Sequence, residues 1–249
     1  MHFESFALQT VNNLPIRTKT RSTYLSMLRL HILPTLAHRE IRMINRVDIQ
    51  QCIQGLPPQT AAMTLAVIKS IFREAIAQEI VNSSPAHGIS GPRIIVKPRC
   101  FMTWDEVSLA HFGDYTTHIR FLALHGLRWS EAVALRVDDI RDERVWINKS
   151  VHGETKSKAA VRSVPLVSAF KEFPKSPKTL RKVLKPYGVD IHSLRHTYAY
   201  LLKQQGVHVT TAQRLLGHSD PRVTMGIYTQ VLDTEIDDVG TLLSKALGF

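Results

Sequence analysis

The chain has 249 residues, of which 44% are hydrophobic, and its 32 Lys and Arg against 21 Asp and Glu give a formal net charge of +11. This length favours two domains, and no stretch approaches the roughly 20 apolar residues that a membrane-spanning helix needs. The positive surplus favours a polyanionic partner, and two cysteines in a chain without an export signal favour a cytoplasmic protein with free thiols.

Residues 1–90 are predicted to form a small all-helical domain. Residues 1–20 show little periodicity, but from Ser22 onward apolar and basic side chains alternate at helical spacing, and this helix is expected to stop before Pro34. A short helix is predicted to open at Val47 or Asp48. A longer one is predicted over 59–79, with one apolar face formed by Met63, Val67, Ile68, Ile71, Phe72 and Ala75.

Residues 91–102 have the composition of a basic linker, rich in Pro and Gly and in positive charge. The second domain is expected to cover 103–232, opening at Thr103, where Glu106 completes a capping box. A helix over 115–125 is predicted to end at Gly126, and the next one is predicted to run to about Leu135.

Residues 144–148 and 161–166 alternate polar and apolar side chains, which predicts an antiparallel hairpin with a lysine-bearing turn. Helices are then predicted after Ser176-Pro177 to about Lys185, and at about 193–205, 210–216 and 221–227. A C-terminal helix, within 233–249, carries one apolar stripe that packs on its own core or docks on a neighbouring subunit. The predicted fold is therefore mainly α with a small antiparallel hairpin or sheet.

Several cations, imidazoles and one phenol have no evident part in forming this fold. Each alone has a structural explanation, such as a helix cap, a solvated turn or a half-buried phenol, and His192 with His196 resembles a metal pair. Together they supply what a phosphodiester reaction needs: guanidiniums for the oxygens, an imidazole and a lysine for proton transfer, and a phenol as nucleophile. The candidates are Arg128, Lys156, His192, Arg195, His218 and Tyr228.

These residues stand in sequence boxes that resemble those of the tyrosine recombinases, or phage integrases. The boxes are 123–131 (ALHGLRWSE), 192–197 (HSLRHT), 216–218 (LGH) and Tyr228 ten residues later. The resemblance spans about residues 103–232 and, more loosely, the helical part before them. It implies a core-type DNA-binding domain at 1–90 and a catalytic domain at 103–232.

The resemblance also implies a catalytic role for each candidate. Tyr228 is expected to attack the phosphodiester and form a 3′-phosphotyrosine link. Arg128 and Arg195 are expected to hold the scissile phosphate. His192 is expected to serve the proton of the nucleophile, and Lys156 is expected to protonate the leaving 5′ oxygen.

Supporting roles and partners follow from the same resemblance. His218 is expected to hydrogen-bond the phosphate, and Glu131 is expected to support Arg128. The family uses neither metal nor ATP and exchanges strands of double-stranded DNA in a DNA-bound tetramer through a Holliday junction. DNA contacts are expected from Arg93, Lys97, Arg99, Lys69, Arg73 and Arg162.

Three features depart from the family pattern. The turn offers both Lys156 and Lys158 as the acid, of which Lys156 is preferred. Only 26 residues separate Pro165 from His192, where the family usually has room for a further helix. No separate arm-binding domain precedes the helical part, which predicts either a compact recombinase using simple sites or a remnant lacking that domain.

Three other functions compete with site-specific recombination. A type IB topoisomerase-like enzyme shares the phosphotyrosine chemistry but reseals one strand without exchange. A non-catalytic DNA-binding relative would keep the frame without the reaction. A metal-dependent nuclease could be built on His192, His196 and His218, but these lack the acidic ligand that such sites usually carry.

Overall fold

The structure is a computed structural model that describes residues 1–94, 100–151, 153–154 and 160–229. The chain divides into two compact units, Met1–Lys97 and Pro98–Phe249. The prediction of a mainly α fold with a small antiparallel sheet is confirmed. Within the described ranges, no helix combines the length and the apolar character needed to cross a bilayer. The finer domain limits stay predictions, and the C-terminal segment 233–249 lies outside the described residues.

The first unit is built from short helices around one apolar core. They are α1 (Phe3–Asn13), α2 (Thr18–Met27), α3 (Leu33–Leu36), α4 (Arg46–Ile53) and α5 (Pro58–Ala77). The sequence pattern did not indicate α1, although it buries Phe3, Phe6, Ala7 and Val11 at helical spacing. These side chains pack against α5 residues such as Phe72, so tertiary burial stabilises a helix that periodicity alone left unassigned.

The helix that begins near Ser22 was expected to stop before Pro34, but the helical chain continues through this proline. A π-helical turn over Leu28–Ile32 follows α2, and α3 continues directly from it. The Leu33 N–H bonds to the carbonyl of Leu28, five residues back, which widens the turn just before the proline. Pro34 has no N–H of its own to place, so the widened helix accommodates it.

The long helix α5 matches the predicted span closely and buries most of the predicted apolar face. Val67, Ile68, Ile71 and Phe72 are fully buried. Met63 departs from the prediction, because 40% of its surface is exposed. The core is built instead on Ala61 and Leu65, together with the residues that follow them on the same face.

The second unit combines a small antiparallel sheet with several short helices. Its helices are α6 (Trp104–Leu109), α7 (Thr116–His125), α8 (Trp129–Ala132), α9 (Lys178–Leu184), α10 (Ser193–Gln204), α11 (Val209–Leu216) and α12 (Pro221–Tyr228). Its strands are β1 (Ile140–Arg141), β2 (Arg144–Ile147), β3 (Lys149–Ser150), β4 (Gly153–Glu154) and β5 (Arg162–Pro165). The predicted hairpin corresponds to β2 and β5, which pair antiparallel with Val145 opposite Val164. The structure adds β1 at the edge of this sheet and a separate β3–β4 pair.

Local signals place the ends of α6 and α7 as predicted. The Thr103 side chain accepts the Glu106 N–H while the Glu106 carboxylate accepts the Thr103 N–H, which is the expected capping box. Gly126 ends α7 in the left-handed region with φ 62°. A Cβ at Gly126 would clash with the ring of Tyr198 on α10. The glycine therefore allows α7 and α10 to pack closely just before Arg128.

Candidate active site

The site begins at the N-terminus of α8, where Arg128 and Glu131 hold each other. Glu131 accepts the Arg128 backbone N–H at 2.9 Å and its Nη1 at 2.7 Å. The carboxylate is buried, whereas 36% of the Arg128 side chain is exposed. Glu131 therefore fixes the orientation of a guanidinium that a ligand can still reach.

Arg162 on β5 approaches the same carboxylate from the other side. Its Nη2 lies 3.0 Å from Glu131 Oε2, its Nη1 lies 3.3 Å from Oε1, and its Nε donates to the Leu215 carbonyl at 2.7 Å. Only 5% of this side chain is exposed. The guanidinium of Arg162 is thus buried and bonded within the protein, and a DNA contact from this residue stays a prediction.

The charge of Glu131 is maintained by these two arginines. Burial would raise the pKa of its carboxyl, but the Arg162 guanidinium, and then Arg128, hold that pKa below its ordinary value. Glu131 is thus ionised at neutral pH. Its single negative charge faces two neighbouring cations.

Arg195 on α10 adds a third and deeper cation. It is 2% exposed, its Nη1 donates to the Gly126 carbonyl at 2.7 Å, and its Nη2 donates to the Leu216 carbonyl. Burial, with Arg128 and Arg162 nearby, lowers the pKa of Arg195 to about 8. Its buried Nε–H has no acceptor among the described residues. A buried N–H without an acceptor is costly, so this position favours an added hydrogen-bond acceptor such as an anion.

His218 follows directly on α11 and faces the same cations. Its Nδ1 lies 2.8 Å from the Thr224 hydroxyl oxygen on α12. Burial, and then Arg195, Arg128 and Arg162, lower the pKa of His218 to about 3, so the ring is neutral at neutral pH. Thr224 was not marked by any sequence motif. A groove of about 580 Å³ opens beside the ring, lined also by Val161, Arg162, Thr210, Thr211, Gln213 and Arg214.

His192 and His196 differ in their surroundings. His192 lies exposed at the N-cap of α10, and its ring centroid is 5.5 Å from that of His196 in an edge-on contact. The His196 ring also stacks on Phe101 at 6.5 Å, which is typical of a packing histidine. In the described part of the chain, no three His, Cys, Asp or Glu side chains are grouped as metal ligands would be.

Tyr228 ends α12, which packs against both α10 and α11. Its hydroxyl donates to the Val207 carbonyl at 3.2 Å. Partial burial raises the pKa of the phenol. The phenol of Tyr228 is therefore protonated at neutral pH.

The remaining candidates lie elsewhere or outside the described residues. Lys156 and its alternative Lys158 fall outside them, as do Lys97 and Arg99. Arg93 is exposed in the first unit. On the exposed face of α5, Lys69 donates to the Ile89 carbonyl at 2.8 Å and Arg73 donates to the Ser70 hydroxyl at 3.0 Å. A DNA contact from these residues stays a prediction.

His125, at the end of α7, makes hydrogen bonds within the protein that connect α7 to the segment after β5. Its Nε2 accepts the Val167 N–H at 3.1 Å, which requires the ring proton on Nδ1, where it is donated to the Phe121 carbonyl at 2.8 Å. The ring is fully buried and stacks on Phe121. His125 thereby ties the segment after β5 to the helix that precedes Arg128.

We expect this histidine to make the second unit sensitive to acid. Burial lowers the pKa of His125 from 6.5 to about 4, so the unfolded chain binds the proton more readily than the folded one. The free energy of unfolding should therefore fall as pH decreases from about 6.5 to 4, by on the order of 3 kcal/mol from this residue. Urea denaturation of wild type and His125→Gln across this range measures the difference.

The matched control is His111→Gln, because His111 is exposed in the same unit. It should keep the pH dependence of the wild type, whereas His125→Gln should make it less steep and leave the part that comes from the buried His218. Equal slopes for wild type and His125→Gln would contradict the assignment.

Comparisons with known proteins find similar sequences and similar folds. A sequence model of the phage integrase family matches residues 171–235. The chain is 26% identical to a tyrosine recombinase of Pseudothermotoga lettingae, over 83% of this chain and 85% of that protein. It is 24% identical to the integrase of Escherichia phage 186, over 76% of this chain and 61% of that protein.

Two solved structures have a similar fold. The Tn1549 transposon integrase in complex with transposon right end DNA matches with a TM-score of 0.74 and 16% identity, over 100% of both chains. A lambda integrase tetramer bound to a Holliday junction matches with a TM-score of 0.73 and 18% identity, over 89% of this chain and 78% of that chain.

Proposed function

Because the chain belongs to the tyrosine recombinase family, also called the phage integrase family, we propose that it is a site-specific DNA recombinase. It cuts and rejoins DNA strands through a 3′-phosphotyrosine intermediate, without a metal ion or ATP. One observation carries the proposal. Arg195 is 2% exposed, lies near Arg128 and Arg162 with Glu131 as the counter-charge among the described residues, and has an Nε–H without an acceptor.

A phosphodiester fits this arrangement. It is a compact anion whose two non-bridging oxygens accept hydrogen bonds from guanidinium forks, and its negative charge grows on those oxygens as a nucleophile attacks. Arg128 is accessible from one side and Arg195 completes the site from within. The same cations stabilise the transition state more than the bound substrate, because the negative charge on the phosphate oxygens increases as the reaction proceeds.

The proposed reaction transfers one phosphoryl group. The Tyr228 oxygen bonds to phosphorus as the bond to the 5′ oxygen breaks, His192 takes the phenolic proton, and the hairpin lysine, Lys156, gives a proton to the leaving oxygen. The neutral His218 ring, with Thr224 donating to its Nδ1, carries its proton on Nε2 and donates it in a hydrogen bond to a phosphate oxygen. Attack by the 5′ hydroxyl of a second strand reverses these steps and joins the strands.

The oligomeric state proposed for the active protein follows from the solved structures with a similar fold. The lambda integrase neighbour is described as a tetramer bound to a Holliday junction, and the Tn1549 neighbour as a complex with DNA. We extend this to a DNA-bound tetramer of the present chain, acting on double-stranded DNA in the cytoplasm. The net charge of +11 and the exposed Lys69, Arg73 and Arg93 support contact with DNA phosphates.

Covalent trapping tests the function without knowledge of the target sequence. The full chain is incubated in EDTA with sheared genomic DNA from the source organism, denatured with detergent, and the protein-linked fragments are sequenced. We expect fragments joined through their 3′ ends at a recurring position. An absence of linked DNA, or a requirement for a divalent metal, would overturn the proposal.

The products then separate the recombinase from a topoisomerase. Two linear duplexes that carry the mapped position should yield joined molecules with exchanged ends. Relaxation of a supercoiled plasmid without any exchanged product would favour the type IB topoisomerase alternative.

A further inference from the structure

The C-terminal turn of α11 presents three successive backbone carbonyls, and each receives a different arginine. Arg162 donates to Leu215, Arg195 donates to Leu216, and Arg128 donates to Gly217 at 3.0 Å. These arginines come from β5, from α10 and from the N-cap of α8. One helix end therefore links the three cations of the site.

The backbone explains why these carbonyls are available. The last carbonyls of a helix have no partner inside it. At the end of α11, the Gly217 N–H bonds to the carbonyls of Gln213 and Arg214, and the His218 N–H bonds to Gln213. Leu215, Leu216 and Gly217 come next in the chain and are the carbonyls that the arginines occupy. The negative end of the helix dipole adds a favourable interaction with the three guanidiniums.

Arg162 differs from the other two arginines in what it joins. Its side chain is 5% exposed, so it has little surface to offer to DNA, whereas 36% of Arg128 is exposed. Its Nη atoms bind Glu131, which orients Arg128. Its Nε binds Leu215, three residues before His218. A single guanidinium thus connects the supports of two residues that are proposed to hold the phosphate.

We propose that Arg162 is a positioning residue for strand cleavage, which ties β5 to Glu131 and to the end of α11 and so holds Arg128 and His218 against the phosphate. This inference rests on the proposed function. Arg162 acts through these partners and does not contact the DNA itself. Its effect is therefore on the rate of cleavage by the bound enzyme and not on the affinity for DNA.

The test compares Arg162→Lys and Arg162→Met in the full chain. The substrate is a duplex carrying the mapped position, with a nick placed so that the cleaved end dissociates. Lysine keeps the positive charge next to Glu131, but its single ammonium cannot reproduce a fork that binds Glu131 and Leu215 together. At saturating DNA, we expect the single-turnover cleavage rate of both variants to fall about 10- to 100-fold. The DNA Kd of each variant should stay within about twofold of the wild-type value.

Arg144→Lys is the matched control, since Arg144 lies on the neighbouring strand β2 and binds Ser163 through its Nε and Nη2. This variant should cleave at the wild-type rate. Arg162→Lys keeps the test valid if Arg162→Met does not fold. Wild-type cleavage by Arg162→Lys, or an equal loss in cleavage rate and DNA affinity, would overturn the positioning role. The proposed function fails separately, if the wild type itself forms no covalent link.

Discussion

Replacing Tyr228 with phenylalanine will abolish the covalent protein–DNA link while leaving DNA binding intact. The variant lacks the one oxygen that is proposed to bond to phosphorus, and no proton transfer can substitute for it. Among the described residues this hydroxyl makes one hydrogen bond, to the Val207 carbonyl, so the loss of that bond should cost only about 1 kcal/mol of stability. Denaturing gels of the nicked duplex measure the link, and a gel-shift titration measures binding.

Tyr187→Phe is the matched control for this experiment. The Tyr187 hydroxyl also donates to a backbone carbonyl, that of His111 at 3.3 Å, and its side chain is 40% exposed. Both variants lose a comparable hydrogen bond, but only Tyr228→Phe loses the nucleophile. A link that still forms with Tyr228→Phe would assign the reaction to another residue.

Replacing Glu131 with glutamine will both destabilise the second unit and slow cleavage. Glutamine keeps the size of the side chain, but it leaves the buried Arg162 guanidinium without its counter-charge. Removing one partner of a buried ion pair costs about 3–5 kcal/mol, which for a unit of this size corresponds to a fall of about 6–20 °C in Tm. Scanning calorimetry measures this loss.

Asp139→Asn provides a close comparison for Glu131→Gln. Asp139 also accepts the backbone N–H of the residue three positions earlier, Arg136, and it also pairs with a cation, Lys149. The difference lies in the cation, because 44% of Lys149 is exposed whereas 5% of Arg162 is. Asp139→Asn should therefore cost no more than about 1 kcal/mol. Equal losses for the two variants would contradict the argument from burial.

Besides its effect on stability, Glu131→Gln is expected to lower the rate of DNA cleavage. Glu131 orients Arg128, so the Glu131→Gln variant should lose cleavage rate even at temperatures where it is fully folded. Single-turnover measurements well below its Tm separate this effect from unfolding. Full cleavage activity of the folded variant would leave Glu131 with a purely structural role.

Features that depend on neighbouring residues could be predicted from the sequence. The Thr103–Glu106 capping box, the stop of α7 at Gly126 and the pairing of β2 with β5 follow from interactions within a few residues or from strict alternation. The motif residues Arg128, Arg195 and His218 could be named as candidates from the sequence, because each carries a side chain of recognisable chemistry, and their catalytic roles stay predictions. Local signals failed at α1 and at Pro34, where packing and a π turn decided the outcome.

The tertiary structure alone decided how the site is held together. The bonds from Arg162, Arg195 and Arg128 to the end of α11 join residues that are 53, 21 and 89 positions apart. Their acceptors are backbone carbonyls, which every residue has, so no pattern of side chains marks them. The burial of Arg162 against Glu131 and Leu215 is likewise a tertiary feature, which neither its residue type nor its place in the sequence indicates.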